Sequence, residues 1–588
     1  MRIRGSPFGR SLYQKLLLIT IVVVSFIFYF KFIKFSTEQL SPSPESNLLD
    51  FNDVNSLSPF EKLIRADLLK QERSLGDRGK PVSLIGASKR KGEEDLKRIA
   101  LNEELSEHLS YNRTVPDARN PLCRNKHYDL DNMLTASVII IFYNEPYSVL
   151  VRTVQSVLNT GDPRILKEII LVDDASVNAE LKDKLDYYIE TRFPKNVRLI
   201  RLTSRLGLIR ARLAGARVAR GEVLVFLDAH CECVEKWLEP LLERIKESRT
   251  SVLVPIIDVI DAKDFHYSSN GYSTFQVGGF SWNGHFDWID ISSRERERQK
   301  RECRDKDVDV CPTYSPTMAG GLFAINREYF WEIGSYDEQM DGWGGENLEI
   351  SFRVWQCGGT IETIPCSRVG HIFRDFHPYS FPDNRDTHGI NTVRMALVWM
   401  DEYISLFFMN RPDLKNHPEV GDVTHRKILR DKMRCKSFDW YLKNVFPEKF
   451  IPTKGVQAYG RIKSLTSNTC LDDLQQDRES PFNLGIYGCH GPLTSHSQFF
   501  SLTRDGVLRV EEACASVQES KSTRMFVVMS SCNKYNSVNN RWELTAAKQL
   551  RYVKLNLCLD MRDLKEMDYI YVAACDPDSD SQLWDITH

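Results

Sequence analysis

At 588 residues the chain is too long for a single hydrophobic core, so two or three domains are expected. Its 78 basic and 80 acidic residues leave a net charge of −2, which argues against nucleic acid or any other polyanion as a partner.

Leu16 to Phe30 is almost unbroken apolar sequence, and Phe32, Ile33 and Phe35 extend it past Lys31 and Lys34. Both lysines can snorkel, so 16–35 approaches the ~20 residues a helix needs to cross a bilayer. A cleaved signal peptide is the competing reading, but no A-x-A-like site follows the apolar run. Arg2, Arg4, Arg10 and Lys15 hold residues 1–15 in the cytosol, which makes 16–35 a type II signal anchor and the rest of the chain lumenal. Fourteen cysteines, none before residue 123, agree with an oxidising compartment, and no C-x-x-C pair of zinc-ribbon type occurs. The sequon Asn112-Arg113-Thr114 makes Asn112 an N-glycosylation candidate on that side of the membrane.

Residues 36–115 are polar and rich in Ser, Glu and Lys, the composition of a stem that cannot fold alone; Leu96, Ile99, Leu105 and Leu109 predict one short helix within it, docked on the next domain. Regular alternation follows. Ser137–Phe142, Glu168–Val172, Val197–Leu202 and Glu222–Leu227 read as strands, with helices predicted over Ser148–Leu158, Ala179–Phe193 and Leu206–Ala219. This pattern implies a parallel sheet of Rossmann type. Acidic residues recur at strand ends (Asp173, Asp174, Asp228) and a glycine-rich dinucleotide fingerprint is missing, which favours a nucleotide held through a metal ion.

The stretch Leu224-Val225-Phe226-Leu227-Asp228-Ala229-His230 concentrates that chemistry. Residues i and i+2 of an extended segment point the same way, and ligands in open α/β sheets bind beyond the carboxyl ends of strands. Asp228 and His230 can therefore converge on an ion, or they cap a turn with a surface histidine. Further on, Phe280, Trp282, Phe286 and Trp288 form an aromatic cluster that is either core or a binding groove; the groove is preferred. Trp343-Gly344-Gly345-Glu346-Asn347 has the look of backbone brought close to a ligand. His371, Arg374, His377 and Tyr379 fall in a predicted loop, which simple exposure would explain equally well. A helix is predicted near Thr392–Met409, and Pro447 and Pro452 mark a boundary. Beyond it Cys470-Leu471-Asp472 recurs as Cys514-Ala515-Ser516 and Cys558-Leu559-Asp560, each followed by a second cysteine and then by Gln498-Phe499-Phe500, Asn540-Arg541-Trp542 or Gln582-Leu583-Trp584. A period of about 44 residues with short strands indicates a threefold all-β unit.

Taken together, Pro116-Asp117-Ala118-Arg119, Phe142-Tyr143-Asn144-Glu145, Asp228-Ala229-His230-Cys231-Glu232, Ala319-Gly320-Gly321-Leu322-Phe323, Trp343 to Glu349, Trp399-Met400-Asp401-Glu402-Tyr403 and the C-terminal repeats make the chain resemble a polypeptide N-acetylgalactosaminyltransferase. The resemblance implies a GT-A (Rossmann-like) α/β catalytic domain over 116–450, followed by a ricin-type β-trefoil lectin domain over 456–588. It implies transfer of GalNAc from UDP-GalNAc to Ser or Thr of proteins with retention, initiating or extending mucin-type O-glycosylation, on the lumenal side of the Golgi membrane. Asp228, His230 and His371 would hold a divalent ion, and a mixed carboxylate–imidazole set suits Mn²⁺ better than Mg²⁺. Asp174, Arg205, Asp228, Ala229, Trp343, Arg374, His377 and Tyr379 would bind the donor. Glu346 and Asn347 would lie near the sugar and acceptor, and Phe280, Trp282 and Trp288 are the acceptor-groove candidates.

In the trefoil, Asp472 and Asp560 are the implied GalNAc ligands, whereas Ser516 lacks the carboxylate and Ser497 stands where Asn is usual. The implied disulfides are Cys123–Cys366, Cys357–Cys435, Cys470–Cys489, Cys514–Cys532 and Cys558–Cys575, leaving Cys231 and Cys233 as thiols; Cys303 and Cys311 could close a small loop. Ala229 for the usual Ser and Leu206 for a common Glu are departures that keep a second reading open, a catalytically silent, Golgi-anchored glycan-binding paralogue. A glycosidase has little support, because the carboxylates at 228 and 346 belong to separate motifs.

Overall fold

The computed structural model describes residues 57–587 apart from 304–306, 377, 379–384, 477–479, 492–495, 519–523 and 533–539. The chain divides after Arg65, and the unit Ala66–His588 carries everything described below. The anchor expected at 16–35 lies outside the described residues, among which no helix is long and apolar enough to cross a membrane.

Strands β1 (Ala136–Phe142), β2 (Leu166–Asp173) and β4 (Val223–Asp228) are mostly buried and largely apolar, β3 (Val197–Arg201) is a half-buried edge strand with two arginines, and all four pair in parallel. Helices α3 (Tyr147–Thr160), α4 (Asp183–Arg192) and α5 (Leu208–Val218) cross between them, following α1 (Gly86–Ile99) and α2 (Glu103–His108). The register sets Ile141 of β1 beside Asp228 and Phe142 beside Asp173, so the acidic residues stand together at the carboxyl edge.

The sheet continues through β5 (Cys231–Cys233), β6 (Ser251–Ile260) and β7 (Tyr267–Ser268). A separate hairpin, β8 (Val277–Phe280) and β9 (Phe286–Ile289), precedes β10 (Thr313–Tyr314), β11 (Phe323–Asn326) and β12 (Thr360–Ile372), giving the order β10-β12-β6-β11-β4-β1-β2-β3. β11 runs antiparallel to β4, whereas β12 runs parallel to β6 and antiparallel to β5, with His371 opposite Cys231. That register carries His371 to the end of β4.

The stem expected over 36–115 is shorter than its composition indicated. Leu101, Leu105 and Leu109 are buried with Val149, Phe265 and Tyr267, and each such leucine is worth about 1.5–3 kcal/mol. The single predicted helix is two, α1 and α2, separated at Ala100 in the left-handed region (φ 51°). Buried Arg152 of α3 donates to the Ser106 carbonyl (2.5 Å), and Arg113 pairs with Glu232 at 2.8 Å with both side chains sealed from solvent. The leucines dock on the next domain as expected, with charged residues covering the opposite face.

From Val456 to Thr587 three β-rich repeats share one core around Trp542, Trp584 and Phe500. Trp542 donates its indole N–H to Ala515 O (2.9 Å) and Trp584 donates to Leu559 O (3.1 Å), the same bond in successive repeats. Disulfides join Cys470–Cys489, Cys514–Cys532 and Cys558–Cys575, one per repeat, and Cys123–Cys366, Cys303–Cys311 and Cys357–Cys435 in the first domain.

Candidate active site

A cavity of about 580 Å³ opens at the carboxyl edge of the sheet, lined by Asp174, Asp228 and His371 from three different strand ends. His230 Nε2 lies 3.1 Å from His371 Nε2, and His371 Nε2 lies 3.3 Å from Asp228 Oδ2. Two donors at right angles, each about 2.1–2.2 Å from one ion, stand about 3.0–3.1 Å apart. The cluster therefore fits a divalent cation. Behind it, His230 Nδ1 is 3.4 Å from Glu145 Oε2, the carboxylate support that orients a ligating imidazole. Burial opposes ionisation of Glu145, but the charges of Arg374 and His230 prevail and hold its carboxyl down to about 2.

Room for Asp228 is made by Gly321, where an added Cβ would stand 2.4 Å from Asp228 Oδ2. Burial raises the cost of charging Asp228, yet the hydrogen bond with His371 and the charge of Arg212 keep its carboxyl well below the usual range. Arg212, on the buried face of α5, was not singled out from sequence. Its guanidinium is 3.3 Å from Asp228 Oδ1 and 3.9 Å from Glu346 Oε1, so one cation balances two carboxylates.

Glu346 opens helix α6 (Glu346–Gln356) behind Gly345 (φ 80°) and accepts the Gly344 N–H at 3.0 Å; burial raises its pKa. Asn347 donates to Met318 O at 3.1 Å, on the cavity side of the same turn.

Asp174 accepts the Leu206 and Gly207 N–H groups at 2.7 and 2.9 Å, and Arg205 lies over the Tyr143 ring at 4.0 Å. Ala229 and Trp343 line the cavity. Arg374 pairs with Glu145, while its Nε is buried without a hydrogen-bond partner among the described residues, a donor left over for an anion. His377 and Tyr379 fall outside the described residues.

Of the acceptor-groove candidates, only Trp288 faces the cavity, 39% exposed. Phe280 and Trp282 belong to the core instead, 2% and 1% exposed. The Trp282 indole donates to Phe450 O (2.8 Å) and its ring stacks on Tyr403, so burial satisfies both its apolar area and its N–H.

A feature that sequence reading missed is the stacked pair His285–His388 (centroids 4.4 Å apart), which lines the cavity beside Trp343. Two histidines 103 positions apart give no local signal. Burial, the neighbouring His285 and Arg411 lower the His388 pKa to about 4, with Asp386 opposing. A depressed pKa contributes stability that is present above the unfolded value near 6.5 and lost as pH falls through the folded value. The protein is thus expected to lose roughly 3 kcal/mol from this group between about pH 6.5 and 4. His388→Phe, which keeps the stack, should flatten that slope in denaturant midpoints measured at pH 7 and 4.5; an unaltered slope would exclude His388 as its source.

In the trefoil, Asp472 accepts from Gln498 Nε2 (2.8 Å) and Asp560 from Gln582 Nε2 (3.0 Å), so the first and third repeats present matching carboxylates. Ser497 also reaches Asp472, at 3.3 Å. In the second repeat Ser516 donates to Val528 O instead (3.4 Å). Asn112 is exposed, and Cys231 and Cys233 are buried free thiols.

Fold and site define a two-domain glycosyltransferase, a nucleotide-type sheet with a cation cluster at its carboxyl edge and a trefoil attached. Residues 137–333 match the glycosyl transferase family 2 domain, 308–378 the N-terminal domain of galactosyltransferase, and 458–584 the ricin-type β-trefoil lectin domain. The chain is 45% identical over 514 residues to probable N-acetylgalactosaminyltransferase 9 of Caenorhabditis elegans, covering 87% of this chain and 86% of the relative. It is 41% identical over 553 residues to human polypeptide N-acetylgalactosaminyltransferase 13, covering 94% of each. Among solved structures, GalNAc-T7 with UDP, GalNAc and Mn²⁺ superimposes with a TM-score of 0.67 at 32% identity, covering 87% of this chain and 92% of that one. The chain belongs to the polypeptide N-acetylgalactosaminyltransferase family.

Proposed function

We propose that the protein transfers GalNAc from UDP-GalNAc to Ser or Thr hydroxyls of protein acceptors with retention, in mucin-type O-glycosylation. The observation that carries this reading is the Asp228–His230–His371 cluster on the wall of a nucleotide-sized cavity, in a chain of this family. Those three residues would hold Mn²⁺, which when bound neutralises charge on the diphosphate leaving group.

The chain's own groups do the rest. Asp174, oriented by two backbone N–H groups, and Arg205, laid on Tyr143, bind the nucleotide. Arg374 adds a guanidinium to the phosphates. Glu346, kept in place by Gly344 and balanced by Arg212, accepts from a sugar hydroxyl, and Asn347 donates toward the acceptor side. The acceptor hydroxyl attacks the anomeric carbon on the face the phosphate leaves, and its proton passes to the departing phosphate oxygen. Ala229 removes a hydroxyl beside the cluster and no ligand.

Trp288 faces the acceptor, while Asp472 and Asp560 hold GalNAc on acceptors already modified. The apolar stretch at 16–35 anchors the protein in the Golgi membrane with both domains lumenal.

The lumenal fragment, assayed with UDP-GalNAc and Mn²⁺ on bare and GalNAc-bearing peptides, is expected to transfer GalNAc, and EDTA is expected to stop it. If no peptide is modified while GalNAc still binds through Asp472 or Asp560, the protein is a glycan-binding paralogue and not an enzyme.

A further inference from the structure

The β8–β9 hairpin stands apart from the main sheet. Among the described residues its two strands form a sheet with each other, from Val277–Ile289 to Phe280–Phe286, while a bridge from Gly278 to Thr317 and hydrogen bonds to the Ser315 and Thr317 hydroxyls tie the first strand to the body of the domain. A two-stranded ribbon is marginally stable by itself. Yet this one must hold still, because His285, Phe286 and Trp288 line the cavity.

Core packing of Phe280 and Trp282 and the His285–His388 stack hold its side chains, and the trefoil adds a hold on the backbone of its turn. Glu511 lies in the turn between the strands Leu508–Val510 and Ala513–Val517 of the second repeat. Its Oε1 accepts the backbone N–H of Trp282 at 2.7 Å, and its Oε2 accepts Lys449 Nζ at 2.7 Å. The Lys449 side chain is 1% exposed and the Glu511 side chain 10%, so the pair is largely withdrawn from water. The same ammonium lies 5.1 Å from the centre of the Phe280 ring and 5.9 Å from that of Trp282. Glu511 also has a left-handed backbone (φ 47°), a conformation costly for a residue with a side chain, and Arg509 closes onto its carbonyl at 2.8 Å. One carboxylate of the second repeat, where Ser516 replaces the sugar-binding Asp, thus grips the hairpin at the residue that begins its turn.

We propose that Glu511 is a positioning residue for the acceptor wall: through Trp282 and Lys449 it holds the hairpin so that Trp288, Phe286 and His285 present one fixed surface to the acceptor. The acceptor role of that wall rests on the function proposed above. Glu511 has no part in donor binding.

The test uses the whole lumenal fragment and three variants. Glu511→Ala removes the grip, Glu511→Gln keeps an acceptor for the Trp282 N–H, and Ser501→Ala removes a contact of the trefoil with the segment joining the domains, Ser501 Oγ to Pro452 O (3.0 Å), without touching the hairpin. Glu511→Ala is expected to raise the acceptor-peptide KM about tenfold while UDP affinity with Mn²⁺ changes less than about twofold. Amides of 277–289 should exchange with deuterium faster, Glu511→Gln should recover part of both effects, and Ser501→Ala should show neither.

The proposal is overturned if hairpin exchange and acceptor KM are unchanged in Glu511→Ala. It is also overturned if Ser501→Ala reproduces them, or if donor affinity falls in step with acceptor KM. Should the wild-type fragment transfer no sugar at all, the enzymatic reading fails, and the exchange comparison alone still decides whether Glu511 holds the hairpin.

Discussion

Asp228→Asn is expected to lower kcat/KM for transfer by at least about a thousandfold while the protein stays folded. A carboxamide carries no charge to offset a divalent ion, and it gives up the anionic oxygen that stands 3.3 Å from His371 Nε2. The fold should tolerate the change because Asp228 lies at the cavity edge, 22% exposed in its side chain, and because Arg212 keeps Glu346 as its counter-charge. Transfer assayed across a Mn²⁺ titration, with thermal melting of the same sample, separates the two effects. Activity within tenfold of wild type would remove Asp228 from the ion site.

Arg212→Met should act on stability first. The Arg212 side chain is 1% exposed and reaches Asp228 Oδ1, Gly321 O at 3.3 Å and Tyr336 Oη at 3.5 Å. Methionine fills much of the volume but leaves the buried Glu346 without a balancing cation, a loss of about 3–5 kcal/mol for a broken buried pair.

The sign of the pH dependence follows. The Glu346 pKa is already raised by burial and opposed by Arg212, so removing the arginine raises it further. A raised carboxyl contributes stability that is present below the unfolded value and lost as pH rises through the folded one. The deficit of Arg212→Met should therefore be larger at pH 7 than at pH 4.5, and Glu346→Gln in the same background should recover part of it. Equal deficits at both pH values would show that lost packing, not the unpaired carboxylate, is responsible.

Strand–helix alternation and a threefold cysteine repeat announced both folds, because buried strands and repeated turns write directly into local sequence. Asp228 and His230 were legible for the same reason, being two residues apart on one strand end. His371 needed the family resemblance, since only the β12–β5 register brings a residue 141 positions away onto His230. Arg212 was invisible: an arginine on an amphipathic helix reads as a solvated charge until the carboxylates it balances are placed. Phe280 and Trp282 misled for the opposite reason, because aromatic residues beside glycines look alike in a core and in a groove. The indole partner that decides the matter is a carbonyl 168 residues further on.

The buried pair Arg113–Glu232 bears on how the protein can be cut. Glu232 is the residue after Cys231, which faces His371 across the β5–β12 register. A soluble fragment trimmed to the domain edge that composition indicates, residue 116, would strip the guanidinium from that carboxylate and leave a naked charge one strand residue from the ion cluster. A fragment begun ahead of Leu101 keeps the charge matched and the leucines seated. The stretch that looks expendable in a linear map is the underside of the active site.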